Sequence, residues 1–202
     1  SLAKELASEE PVYSSSVSAR LDSPEALKKV FAEIRKTGQA AIVPVVSTGE
    51  VAGVALSWGE GKAAVLPGET ALRELKALWE DDTVLKNCPG LKETQVLLLR
   101  QGISVQGPWF DPGLASYLLD PTRPSHQIGD LALEFLGENP AFLDPLEQAA
   151  AQAQAAFRLL PRFQKDIQEK EMSVLLQEVE LPLTAVLARM EFQGINLDIR
   201  IL

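Results

Sequence analysis

The chain has 202 residues, enough for one sizeable domain plus an appendage. Its net charge of −9 argues against an autonomous nucleic-acid binder, which would present a basic footprint. A single cysteine, Cys88, rules out an internal disulfide, and a single histidine, His126, argues against a zinc site.

No apolar run reaches membrane-spanning length and the N-terminus lacks a signal-peptide pattern, so a cytoplasmic chain with no membrane partner is expected. Both ends read as boundaries inside a longer protein. Residues 1–22 read as a linker, because SLAKELASEEPVYSSSVSAR is polar, serine-rich and low in apolar periodicity. A helix follows. Ser23 can cap it, Pro24 fits its first position, Gly38 ends it, and Leu27, Val30, Phe31 and Ile34 share one face.

Strands are expected at 40–47, 51–58 and 62–66, forming an antiparallel meander with a turn at STGE. Pro44 lies inside the first strand, where a ladder needs every backbone N–H, so pairing there should be interrupted on one side by a bulge or break. The segment 68–81 reads as one helix with Leu72, Leu75, Leu78 and Trp79 inward. TVLKNC reads as a short strand, GLKETQVLLLRQG as a helix closed by Gly102, and ISVQGPWFD as bringing the last strand. PGLASYLLD and IGDLALEFLG read as two short helices. From Asp144 the alanine-rich remainder reads as long helices that Pro161 and Pro182 should kink or break. Three antiparallel strands, then strands alternating with helices, imply an α/β fold with a mixed sheet and helices on both faces.

Several single residues invite a functional reading and fit a plainer one. Asp111 precedes Pro112 and reads as a helix N-cap. His126 reads as a capping or surface histidine, and Cys88 as a buried inert thiol. Trp58, Trp79 and Trp109 have little basic charge around them and read as packing residues, not base-stacking platforms. Arg158, Arg162 and Lys165 make a modest basic stripe, read as a solvated helix face.

The segment LLQEVELPLTAVLARMEFQGINLD, residues 175–198, resembles the start of the polymerase region of bacterial DNA polymerase I, family A. Glu180, Leu181, Pro182, Leu183, Met190, Glu191, Gly194 and Asp198 carry that resemblance. Upstream, FDPGLASYLLDP and GLKETQVLLLRQGI are similar to segments of the same family's proofreading domain. The resemblance implies a ribonuclease H-like domain over 23–172, followed by long C-terminal helices and a truncated polymerase start over 173–202.

In that family the proofreading domain is a 3′→5′ exonuclease using two divalent metals, which need several carboxylates because hard cations want anionic oxygen ligands. Register against the family places Pro44 and Val46 at the strand aspartate and glutamate, Thr94 at the helix aspartate, and Ala149 and Ala153 at the last tyrosine and aspartate. None of these side chains supplies a carboxylate. The resemblance therefore implies a degenerate, inactive exonuclease domain that scaffolds the polymerase domain of the same chain. It implies no cofactor in this fragment, with magnesium expected only in the polymerase domain outside it. DNA would be met through the parent protein, in replication and repair. Two alternatives stand beside this. One is an active exonuclease using displaced carboxylates, among which Glu50, Glu93 and Asp111 are the nearest acids. The other is an interaction module that keeps only the fold.

Overall fold

The computed structural model describes residues 19–104, 106–139 and 144–194. Its centre is the expected meander: β2 (Gln39–Ser47), β3 (Glu50–Gly59) and β4 (Lys62–Pro67), paired antiparallel in sequence order. The β2–β3 turn places Thr48 and Gly49 at φ 50° and 86°, the two left-handed positions that match the twist of a two-residue hairpin. Beyond β2 lie β5 (Leu85–Asn87) and β6 (Trp109–Phe110), both parallel to their inner neighbours. At the other edge, β1 (Ala19–Arg20) pairs parallel with β4, giving the order β1-β4-β3-β2-β5-β6. The linker expected over residues 1–22 includes residues 19–22. Instead 19 and 20 form this strand, and Leu21 is buried with its N–H donated to the Val65 carbonyl. Residues 1–18 lie outside the described residues.

The sheet is covered on both faces. One face packs under α1 (Pro24–Thr37) and two short helical turns, α2 (Ala71–Glu74) and α3 (Lys76–Trp79), burying Ala40, Ile42, Val54, Leu56, Leu72 and Trp79. The other packs under α5 (Pro112–Leu119), α6 (Ile128–Leu136) and the long α7 (Pro145–Glu169), burying Ala41, Val43, Val45, Ala55 and the alanines of α7. α4 (Leu91–Arg100) connects β5 towards β6. Ser23 and Asp111 cap α1 and α5 as the Ser-Pro and Asp-Pro pairs predict.

Two local expectations need correction. The segment 68–81 is not one helix, because it divides at Leu75. The chain tightens at Leu75, where the Leu78 N–H meets the Leu75 carbonyl at 2.8 Å, and Leu72, Leu75, Leu78 and Trp79 all stay buried as expected. α7 runs unbroken through Pro161. The proline faces solvent, while Leu159, Leu160, Phe163 and Ile167 stay buried on the sheet side and hold the helix in place. Pro182 sits in the first turn of α8 (Leu181–Gln193), immediately after a π-helical segment, Leu175–Glu180. The wider winding accommodates a residue with no N–H and a ring that crowds the preceding turn.

Pro44 lies where its missing donor does least harm. The Leu85 N–H donates to the Gly38 carbonyl, with Gln39 opposite Leu85. By alternation, the even residues of β2 turn their N–H groups towards β5. Pairing with β5 ends at Ala41↔Asn87, so the Pro44 nitrogen faces a side where the ladder has already stopped. On the β3 side Pro44 stays in register with Val54, and an irregularity follows between Val45 and Val46.

Candidate functional site

The family cleft would lie between β2 and the α7 face of the sheet. α7 enters this face because Asp144 caps it through Leu146 and Glu147 N–H groups and Pro145 opens its first turn. Ala149 and Ala153 are buried there beside Val43 and Val45. Leu146 closes the floor. A Cβ on Gly53, the partner of Val45, would stand 2.8 Å from the Leu66 carbonyl oxygen and 2.6 Å from Leu146 Cδ2, so a larger residue would crowd β4 and displace Leu146.

The structure does not bring all five sequence-assigned positions together. Pro44 opposes Val54 and Val46 opposes Val51, and both partners belong to the α1 side of the sheet. Cross-strand partners share a face, so Pro44 and Val46 point away from Ala149 and Ala153. Pro44 is half-buried and Val46 is 48% exposed. The residues of β2 that face α7 are Val43 and Val45, one position earlier. AAIVPVVS is apolar on both faces, as a central strand must be, so it carries no alternation from which the face meeting α7 could be read. Thr94 is buried near the start of α4.

The nearby acids have other partners. Asp111 is a buried carboxylate joining two helices: Oδ2 accepts the Leu91 N–H at 2.9 Å, at the start of α4, and Oδ1 accepts the Gly113 N–H at 2.8 Å, at the start of α5. Burial pushes its carboxyl up, and these backbone N–H groups pull it back. The sequence anticipates the α5 cap but not the bond to Leu91. Glu93 is exposed and pairs with Lys92, whose ammonium also reaches Glu191 of α8 at 2.7 Å. Glu50 is exposed in the hairpin. Among the described residues no group of three or more His, Cys, Asp or Glu side chains could hold a metal ion.

The remaining candidates are structural. Cys88 is buried, and burial, with Asp111 nearby, pushes its thiol well up and away from reactivity. His126 does not cap α6. Its Nδ1 lies 2.9 Å from Ser116 Oγ, and its ring meets Tyr117 edge-on. Trp58 and Trp79 are buried, and Trp109 stacks on Trp79 at 6.1 Å. Arg158, Arg162 and Lys165 are all exposed, as a solvated helix face predicts, with surface contacts to Glu138, the Phe135 ring and Glu169. An unanticipated group is Lys86. It is wholly buried, its ammonium donates to the Asp81 and Gln106 carbonyls, and burial pushes its pKa down.

The sequence profile described as DNA polymerase I, ribonuclease H-like domain, matches residues 46–139. DNA polymerase I of Rhizobium leguminosarum is 32% identical over 186 residues, covering 81% of this chain and 18% of that protein. This chain belongs to the DNA polymerase I ribonuclease H-like family. The polymerase domain of Pol1 from M. smegmatis, solved with a DNA primer-template and dNTP, superposes with a TM-score of 0.76 at 22% identity, covering 89% of this chain and 33% of that one. Escherichia coli RNase D, an exoribonuclease, superposes at 0.70 with 16% identity, covering 89% of this chain and 51% of that one. With the profile match, these likenesses show the ribonuclease H-like fold, a mixed six-stranded sheet with helices on both faces and long C-terminal helices. The chain spans about a fifth of the length of the Rhizobium relative. Among the described residues no helix is long and apolar enough to cross a membrane.

Proposed function

We propose that this chain is a vestigial 3′→5′ exonuclease domain, without catalysis of its own, that supports the polymerase region of a DNA polymerase I. The observation that carries this reading is the lining of the β2–α7 face. Val43, Val45, Ala149 and Ala153 are packed together with Leu146 seated on Gly53. In-line displacement at a phosphodiester needs metal ions held by several anionic oxygens, and aliphatic side chains cannot supply them. Displaced acids do not rebuild the site, since Asp111 spends both oxygens on backbone N–H groups and Glu93 points to solvent.

On this reading residues 23–172 are the exonuclease-like domain and the polymerase region starts at 173. The parent protein would carry out template-directed DNA synthesis in replication and repair in a bacterial cytoplasm. It would hold magnesium and DNA in the region following this chain. α8 would be the junction. Thr184 and Ala188 are its buried positions and Glu191 pairs with Lys92 on α4, while Leu183, Val186, Leu187 and Met190 form an exposed apolar ridge for the polymerase body to cover. The test is to incubate the chain with 3′-labelled single-stranded DNA and magnesium or manganese. The label should remain at full length. Shortening with time that is lost on Glu93→Gln or Asp111→Asn would overturn the proposal.

A further inference from the structure

A cleft of about 1310 Å³ opens at the β6 edge of the sheet, beside the end of α7. One margin is β6 itself, the terminal strand of the sheet, with Trp109 and Phe110 in the lining. α4, the end of α7 and α8 form the walls through Gln95, Gln164, Gln168, Ala185 and Arg189. Two features make this more than a gap between helices. First, β6 has a free backbone edge. Lys86 and Cys88 donate to the Pro108 and Phe110 carbonyls, so alternation turns the Trp109 N–H and C=O away from β5, and no described strand pairs with that side. Second, Gln95 is 7% exposed, lines the cleft, and has a buried Oε1 with no hydrogen-bond partner. An acceptor left in this state costs free energy until a donor arrives.

The lining chemistry selects the occupant. It combines apolar side chains with five glutamine amides, Arg189 is its one charged group, and no carboxylate lines it among the described residues. Amides that both donate and accept, beside an open strand edge, match a polypeptide backbone better than a nucleic-acid phosphate, which would call for several cations. We infer that the cleft seats an extended segment of the polymerase region that follows α8, added as a strand to the Trp109 edge and donating a backbone N–H to Gln95. This rests on the scaffold reading. Its two further supports are that the chain covers only 18% of the Rhizobium relative and that α8, which leads into the following polypeptide, is itself a wall of the cleft.

Thiol labelling and amide exchange on the intact parent polypeptide, set against the 202-residue chain, test this. Cys88 is buried, so Ala185→Cys reports the cleft wall and Val186→Cys the outer ridge. Both sites should label readily in the shorter chain. In the parent, both should slow and Trp109 amide exchange should slow by about tenfold or more. Ala185→Arg, which fills the cleft, should return Trp109 exchange to the rate of the shorter chain. Persistent protection in that variant overturns the assignment to the cleft. Slowed labelling at 186 with Ala185→Cys and Trp109 unchanged overturns this inference and leaves the scaffold reading standing. No slowing at any of the three overturns both.

Discussion

Consider two double substitutions on β2: Val43→Asp with Val45→Glu, and Pro44→Asp with Val46→Glu. The first pair enters the face packed against Ala149 and Ala153, where Val43 and Val45 are 8% and 9% exposed. Losing two buried valines costs about 1.5–3 kcal/mol each, before any charge is considered. Two carboxylates with no partner add a further ~2 kcal/mol or more apiece, partly relieved by protonation. The sum, about 7 kcal/mol or more, is comparable to the whole stability of a domain, roughly 5–15 kcal/mol. The second pair enters the opposite face, where Val46 is 48% exposed and Pro44 half-buried, and its cost should stay near 1–2 kcal/mol. Removing Pro44 restores no ladder bond, because β5 offers no partner past Asn87. Urea unfolding at pH 7 and pH 5 measures both. The first pair should unfold or nearly unfold the chain at pH 7. It should recover partly at pH 5, because a buried carboxyl with a raised pKa is tolerated as it protonates. If Pro44→Asp with Val46→Glu is the costlier pair, the assignment of faces on β2 is wrong.

Asp111→Ala removes caps from α4 and α5 together and leaves the buried Leu91 N–H unpaired, so chemical denaturation should register a loss of about 2–4 kcal/mol; a loss below 1 kcal/mol would remove Asp111 from this role. Asp81 is held down to about 2 by hydrogen bonds from Thr83 and Arg35, so it stabilises the fold above the unfolded carboxylate value and loses that contribution as pH falls towards 2. Asp81→Asn should therefore cost about 1–2 kcal/mol at pH 7, and its stability should converge with that of the unsubstituted chain in acid titrations towards pH 2. The uncovered ridge on α8 should make the chain self-associate with rising concentration, and Val186→Glu with Leu187→Glu should suppress this in light scattering while leaving the melting temperature nearly unchanged.

Features with local causes were legible in the amino-acid sequence. Ser23-Pro24 and Asp111-Pro112 announce helix starts because the cap and the proline act within one turn. The meander follows from apolar runs punctuated at Thr48-Gly49 and Glu60-Gly61. Features decided at long range were not legible. Which face of β2 meets α7 depends on packing, because both faces of a central strand are apolar. The bond from Leu91 to Asp111 spans twenty residues and has no local signal. The survival of α7 through Pro161 reflects buried contacts on its other side outweighing one lost hydrogen bond. Neither Pro44 and Val46 nor Val43 and Val45, the pair that faces α7, carries a side-chain oxygen.

The central claim is that the β2–α7 face holds no catalytic metal. Manganese titration followed by paramagnetic broadening of backbone amide resonances tests it directly, because a bound ion broadens every amide near it. Signals from Val43, Val45, Thr94, Ala149 and Ala153 should keep their line widths as manganese is added, with any broadening confined to exposed acidic surface. Selective, saturable broadening of those five signals at low manganese would place an ion in the cleft and contradict the account.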